Sequence, residues 1–214
     1  MNDLTHLMFD IDGTLVESYE FDEKHFLDAI EEETGIRPES DWHTYPFVSD
    51  KGILMTFIER YAPDFVLEEI EPRVKRTFKN KIKNHLNTKP AQAIPGAVEF
   101  LNSLIENDKY LVSVATGGWK ETALLKLDSA GFDTSKLKIA SCNDHHCRKE
   151  IMLKAKHLAG NTNGVPITYF GDAEWDVRAC RSLEVNLIIV GDRVPHHQTI
   201  QDYFDTRLIM SFVN

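Results

Sequence analysis

The chain has 214 residues, 42% of them hydrophobic and 27% charged, with a formal net charge of −10. That length and apolar content suffice for a full hydrophobic core, which excludes a disordered segment or a small stapled scaffold. The acidic balance, with a sequence pI near 5.3, argues against nucleic acid as the partner, because phosphate backbones are held by Lys and Arg.

Cys142, Cys147 and Cys180 make an odd cysteine set, which points to a reducing compartment rather than a disulfide framework. The N-terminal Met-Asn-Asp-Leu-Thr-His has neither a basic start nor an apolar leader. No run approaches the ~20 apolar residues of a membrane span. A cytoplasmic protein with no membrane partner is expected.

His6 to Phe9 is the first predicted strand, running into Asp10-Ile11-Asp12-Gly13-Thr14. Residues 18–88 then show helical spacing and little strand. Phe21 to Thr34 reads as an acidic amphipathic helix ended by Gly35, Lys51 to Tyr61 as a second and Glu71 to His85 as a third. Asn87 to Pro95 carries two prolines and suits a hinge. Pro95-Gly96 opens a helix with Val98, Leu101, Leu104 and Ile105 on one face. Tyr110 to Ala115 is a second strand, and Trp119 to Ala130 a helix stopped by Gly131. Leu137 to Ala140 is a third strand, followed by a helix from Arg148 to Ala159 with Ile151, Met152, Ala155 and Leu158 inward. Ile167 to Phe170 and Val185 to Val190 complete the strands. Apolar runs alternating with helices are the pattern of a parallel α/β sheet, and the helical block after the first strand reads as a cap or lid.

Four stretches carry chemistry. Alternation in extended chain puts Asp10 and Asp12 on one side at a strand's carboxyl end, where open α/β sheets bind ligands. A cation between such carboxylates relieves their repulsion; the plain alternative is a solvated acidic turn. Thr116-Gly117-Gly118 follows the second strand, a hydroxyl and backbone N–H groups at a helix start that suit an anion, or simply Thr116 as N-cap. Gly171-Asp172 ends another strand with Asp176 four residues on, a spacing that lets both acids share one hard cation, or helix-start acids placed by the dipole. Cys142-Asn-Asp-His-His-Cys-Arg-Lys149 lacks the second cysteine pair of a zinc site, and the simpler reading delivers Lys149 to an anion near a helix start.

Together these motifs resemble the haloacid dehalogenase (HAD) superfamily of phosphohydrolases, in the phosphoglycolate phosphatase and β-phosphoglucomutase-like branch. The resemblance covers the whole chain and rests on Asp-x-Asp-Gly-Thr at 10–14, Thr116, Lys149 and Gly-Asp-x-x-x-Asp at 171–176, in order. It implies an α/β Rossmann-like parallel sheet core with helices on both faces, formed by residues 1–17 and 89–214. A smaller all-helical cap would span 18–88. It also implies that Asp10 is the nucleophile forming an aspartyl-phosphate and Asp12 the acid and base. Mg²⁺ would be held by Asp10, the Asp12 carbonyl and Asp172, supported by Asp176. Thr116, Gly117 and Lys149 would hold the phosphoryl oxygens, with Arg148 in reserve.

The implied activity is phosphatase action on a small phosphomonoester. A phosphomutase or a non-catalytic binding protein are the alternatives. Asp12 argues for phosphoryl transfer, since the dehalogenase branch replaces that acid. Thr116-Gly117-Gly118 and Lys149-Glu150 depart from the branch's usual second and third motifs. Trp119 is expected as a substrate wall, Trp175 as packing, and Trp42, Tyr45 and Phe47 as wall or cap core. The basic run from Arg73 to Lys83 is expected as a solvated helix face balanced by Glu68, Glu69 and Glu71.

Overall fold

The computed structural model describes residues 4–162 and 164–213. The first three residues of the N-terminal stretch read above lie outside the described residues.

Strands rich in Val, Ile, Leu and Phe pair in parallel when both faces of their sheet are covered. Among the described residues six strands do so: β1 (Thr5–Phe9), β2 (Tyr110–Ala115), β3 (Ile139–Ala140), β4 (Ile167–Gly171), β5 (Asn186–Val190) and β6 (Thr199–Ile200). Their order is β3-β2-β1-β4-β5-β6, and every neighbouring pair is parallel. Leu7 and Phe9 face one side, into a core shared with Phe100, Leu127 and Ile209. Met8 faces the other, into a core shared with Ile151, Met152 and Ala155. Helices α4 (Ala97–Ile105), α5 (Lys120–Ser129) and α8 (Thr206–Phe212) contribute to the first, α6 (Arg148–Leu158) and α7 (Glu174–Leu183) to the second. The expected α/β fold with helices on both faces is the observed one.

Between β1 and α4 run α1 (Tyr19–Thr34), α2 (Asp50–Tyr61) and α3 (Leu67–Thr88). The third is longer than the predicted Glu71 to His85, because Ile70, Val74, Phe78 and Ile82 form a continuous buried stripe. That stripe outweighs the backbone bond lost at Pro72 inside the helix. Where the chain leaves and re-enters the sheet layer, its two connections pair. Glu17 N–H donates to Gln92 O at 2.8 Å and Ile94 N–H to Leu15 O at 2.9 Å.

Three further elements differ from expectation. The strand predicted from Leu137 keeps only Ile139–Ala140, because a 3-10 turn takes up Thr134–Lys136. Edge strand β6, two residues long, is too short to show alternation. Helix α8 closes the chain without a strong apolar period of its own; Ile209 is its buried residue.

Candidate active site

β1 sits where the strand order reverses, between β2 and β4. Such a switch point opens a crevice at the carboxyl ends of the strands. Asp10 stands there, its backbone N–H bonded to Phe170 O at 2.9 Å and its Oδ1 accepting from Ile11 N–H at 2.8 Å. The chain then turns at Gly13, in the left-handed region at φ 76°. A Cβ there would stand 2.3 Å from Asp172 Oδ2, so only glycine lets the two strand ends approach this closely. From α7, Asp176 Oδ2 accepts the Asp172 and Ala173 N–H groups, each at 3.2 Å. Asp10, Asp172 and Asp176 each offer a carboxylate oxygen, and the three oxygens lie within 4.8 Å of one another. Burial pushes the Asp10 carboxyl up to about 7 against the opposing pull of Arg148. Burial, then Asp176 and Asp10, hold Asp172 well above the carboxylate range.

Arg148, at the start of α6, reaches Asp10 Oδ2 at 2.9 Å and Asp176 Oδ1 at 3.2 Å. A Cβ on Gly117 would stand 2.6 Å from its Nη2, so the second glycine position lets the guanidinium pass. Thr116 Oγ1 accepts from Gly118 N–H at 3.1 Å, tying the loop after β2. Asp50, at the start of α2, clamps the same loop from the other side. Its N–H donates to Gly117 O at 2.9 Å, and its Oδ2 accepts from Trp119 N–H at 2.8 Å.

The Asp12 carboxylate is outside the three-acid cluster. Its Oδ1 takes the Ser18 hydroxyl and, at 2.5 Å, the Lys126 ammonium. Lys126 is wholly buried on α5 and also meets Asp22 Oδ1 of α1 at 2.5 Å. Burial alone would lower the lysine, but Asp12 and Asp22 outweigh it and hold its pKa above the ordinary value. Burial raises Asp22 to about 7 despite Lys126. Lys126, Asp22 and Asp50 were not among the expected site residues. For Lys126 a signal existed: it shares a helix face with Thr122 and Ala123, both buried.

A cavity of about 600 Å³, including its open mouth, lies between these groups. Asp10, Asp12, Thr116, Gly117, Arg148 and Asp172 form its floor. Tyr19, Phe26, Trp42 and Trp175 supply aromatic wall, with Glu23 and Asp50 beside them.

Two expected roles are exchanged. Trp119 does not line the cavity: its ring is fully buried against Phe26 and Phe78. Trp175, expected as packing, does line it. Tyr45 is buried against Trp42, and Phe47 stands edge-on to His146 outside the cavity. The basic run on α3 pairs with acids of other helices: Arg73 with Glu33, Lys81 with Glu32, and Lys75 with Glu121.

A family model described as haloacid dehalogenase-like hydrolase matches residues 7–190. The chain belongs to the haloacid dehalogenase-like hydrolases. No curated protein sequence matches it. Among solved structures, a hydrolase from Pseudomonas syringae is similar at 23% identity and TM-score 0.73, over 97% of this chain and 98% of that one. CbbY from Rhodobacter sphaeroides, solved in complex with phosphate, is 14% identical at TM-score 0.71, over 94% and 96%. β-Phosphoglucomutase from Clostridium difficile is 14% identical at TM-score 0.71, over 98% and 96%. At such identities the likeness is one of fold.

Of the residues that the haloacid dehalogenase resemblance singled out, Asp10, Asp172 and Asp176 converge, and Asp12, Thr116 and Gly117 border the same cavity. Lys149 does not line it; the neighbouring Arg148 does. The reason is the helix face. Arg148 precedes the buried Ile151, Met152 and Ala155 by three, four and seven positions, so it points where they point.

Proposed function

We propose that the chain is a Mg²⁺-dependent phosphatase that hydrolyses a small phosphomonoester through an aspartyl-phosphate on Asp10. The observation that carries this reading is the convergence of Asp10, Asp172 and Asp176 beneath the Thr116–Gly118 loop, with Arg148 on Asp10. The residues fit a hard divalent cation: all three donors are carboxylate oxygens within mutual reach, and burial keeps water from screening their repulsion. When bound, Mg²⁺ neutralises the carboxylate and the phosphoryl oxygens and so lets an anion approach an anion.

The chain's own groups would act as follows. An Asp10 oxygen attacks phosphorus while Asp12 gives its proton to the leaving oxygen as the ester P–O bond breaks. Water then attacks the same phosphorus, passing a proton to Asp12, and the bond to Asp10 breaks to release inorganic phosphate. Covalent catalysis divides one hard displacement into two easier ones. The Arg148 guanidinium and the N–H groups of the Thr116–Gly118 loop hold the phosphoryl oxygens, in the role first expected of Lys149.

In this reading residues 18–88 are a cap over a core of 1–17 and 89–214. The paired connections at 15–17 and 92–94 are its hinge. A cytoplasmic location belongs to the same proposal, supported by three free cysteines, two of them buried. The test is hydrolysis of p-nitrophenyl phosphate with Mg²⁺. It should vanish on chelation, return with added Mg²⁺, and be absent from Asp10→Asn. Full activity after chelation would overturn the proposed site.

A further inference from the structure

Arg148 is the only Lys or Arg among the described residues that lines the cavity, and it is already committed to Asp10 and Asp176. Away from Asp10, the charged lining residues are all acidic. Asp12 and Asp22 share the single ammonium of Lys126. Glu23 and Asp50 form no ion pair with a described residue. Glu23 Oε2 accepts from the Trp42 indole N–H at 2.7 Å, and Asp50 Oδ2 from a backbone N–H. Asp12 and Asp50 also lie near each other: a Cβ on Gly118 would stand 3.8 and 3.7 Å from their Oδ2 atoms. Burial and Asp22 raise the Asp50 carboxyl well above its ordinary value, with Lys126 too shared to offset them. The rest of the lining is neutral and includes Tyr19, Phe26, Trp42 and Trp175, and aromatic faces beside carboxylates form the kind of surface that takes up an ammonium group. One instance is already present, with the Arg193 guanidinium 3.6 Å from the centre of the Tyr19 ring.

We infer that the phosphoester accepted here has an amine-bearing leaving group, an aminoalkyl phosphate whose ammonium is taken up by the wall that Glu23, Trp42 and Asp50 contribute. The inference rests on the phosphatase reading and adds the substrate class. A leaving group carrying a second anion, a carboxylate or another phosphate, meets no Lys or Arg among the described lining residues other than Arg148, and Arg193 behind Tyr19 is already held by Asp172 Oδ2 at 2.6 Å. An aliphatic leaving group leaves the buried Asp50 and the partly buried Glu23 without a cation.

The test compares 2-aminoethyl phosphate, propyl phosphate and carboxymethyl phosphate, which are similar in size and differ in leaving-group charge. kcat/KM should fall in that order, by about 10- to 100-fold from the amine to the neutral ester, the worth of a hydrogen bond to a charged group. Asp50→Asn and Glu23→Gln keep the acceptors that Trp119 N–H and the Trp42 indole use. At least one of them should reduce the amine-to-neutral ratio towards unity. Equal rates on the amine and neutral esters, a preference for the carboxylate, or a ratio unmoved in both variants would overturn the inference. Calorimetric binding of the same esters to the Asp10→Asn protein reads the order without turnover. No hydrolysis of any ester by the wild type would therefore count against the phosphatase reading, while the binding order still decides the leaving group.

Discussion

The Lys126 ammonium lies 2.5 Å from Asp12 on the strand-end loop and 2.5 Å from Asp22 on α1. One buried cation thus joins the proposed general acid to the helices that follow it in the chain. Lys126→Met should strand two carboxylates in a desolvated site and cost about 3–5 kcal/mol, the usual penalty of removing one partner from a buried pair. Adding Asp22→Asn to Lys126→Met should recover part of that loss. Urea denaturation of both single variants and the double variant measures the coupling, and strictly additive losses would mean that the contact carries no stability.

Arg148 and Lys149 are neighbours in the chain with different surroundings. Arg148→Ala should slow formation of the phosphoenzyme by about 10²–10³-fold, as for loss of one preorganised donor to the transition state. Lys149→Ala should leave that rate near wild type, because its side chain does not line the cavity. Rapid-quench measurement of the first turnover separates them, and the reverse ranking would restore the role to Lys149.

The two acids of the first motif should also part company. Asp10→Asn should lose turnover on every ester, since it removes the attacking oxygen. Asp12→Asn should slow an alkyl phosphate by about 10²–10⁴-fold, the contribution of general acid catalysis, and an aryl phosphate far less. A nitrophenolate leaves without a proton; an alkoxide does not. Single-turnover rates are the measurement, because loss of the base also slows the second step. Equal slowing on both esters would show that Asp12 does not protonate the leaving oxygen.

His6 offers a test of stability against pH. It is fully buried at the opposite end of β1, with Nε2 2.8 Å from Ser113 Oγ and Nδ1 3.2 Å from the Asn161 amide nitrogen. Burial, then Lys156, lowers its pKa to about 4 from 6.5. Between those values the unfolded chain binds the proton and the folded chain does not, so this contribution to stability falls as pH drops from 6.5 towards 4. The full loss is about 3 kcal/mol by linkage. His6→Asn should be free of it, and the wild type should lose ground against this variant over that window in denaturation curves. A constant difference between the two across the window would mean that His6 protonates normally in the fold.

Much of this architecture was legible in the residues, and the reasons are local. Asp10, Asp172 and Asp176 each follow an apolar strand or a Gly-Asp step, and strand ends in a parallel sheet converge without further information. The choice of Arg148 over Lys149 lay in the helical offsets to Ile151, Met152 and Ala155, which a charge-based expectation overlooked. Asp22 was not legible because α1 carries acids on many sides, and Asp50 because it reads as an ordinary first-turn acid of α2. Only the docking of α1 and α2 against the sheet layer selects which acids face inward. Trp119 was misjudged for the same reason: its backbone belongs to the Thr116–Gly118 loop region, while its ring belongs to α1 and α3.

That division of Trp119 gives the protein an optical gauge. The indole is shielded by Phe26 and Phe78 and lies 5.7 Å from the Lys75 ammonium. Any separation of these helices from the loop after β2 would bring water and a different field to the chromophore. Its emission would redden and become accessible to a dissolved quencher such as iodide. Trp42 and Trp175 line the cavity and would respond to an occupant instead. A chain with Phe at 42 and 175 would keep one indole, and its fluorescence would time the movement of the helices apart from the chemistry.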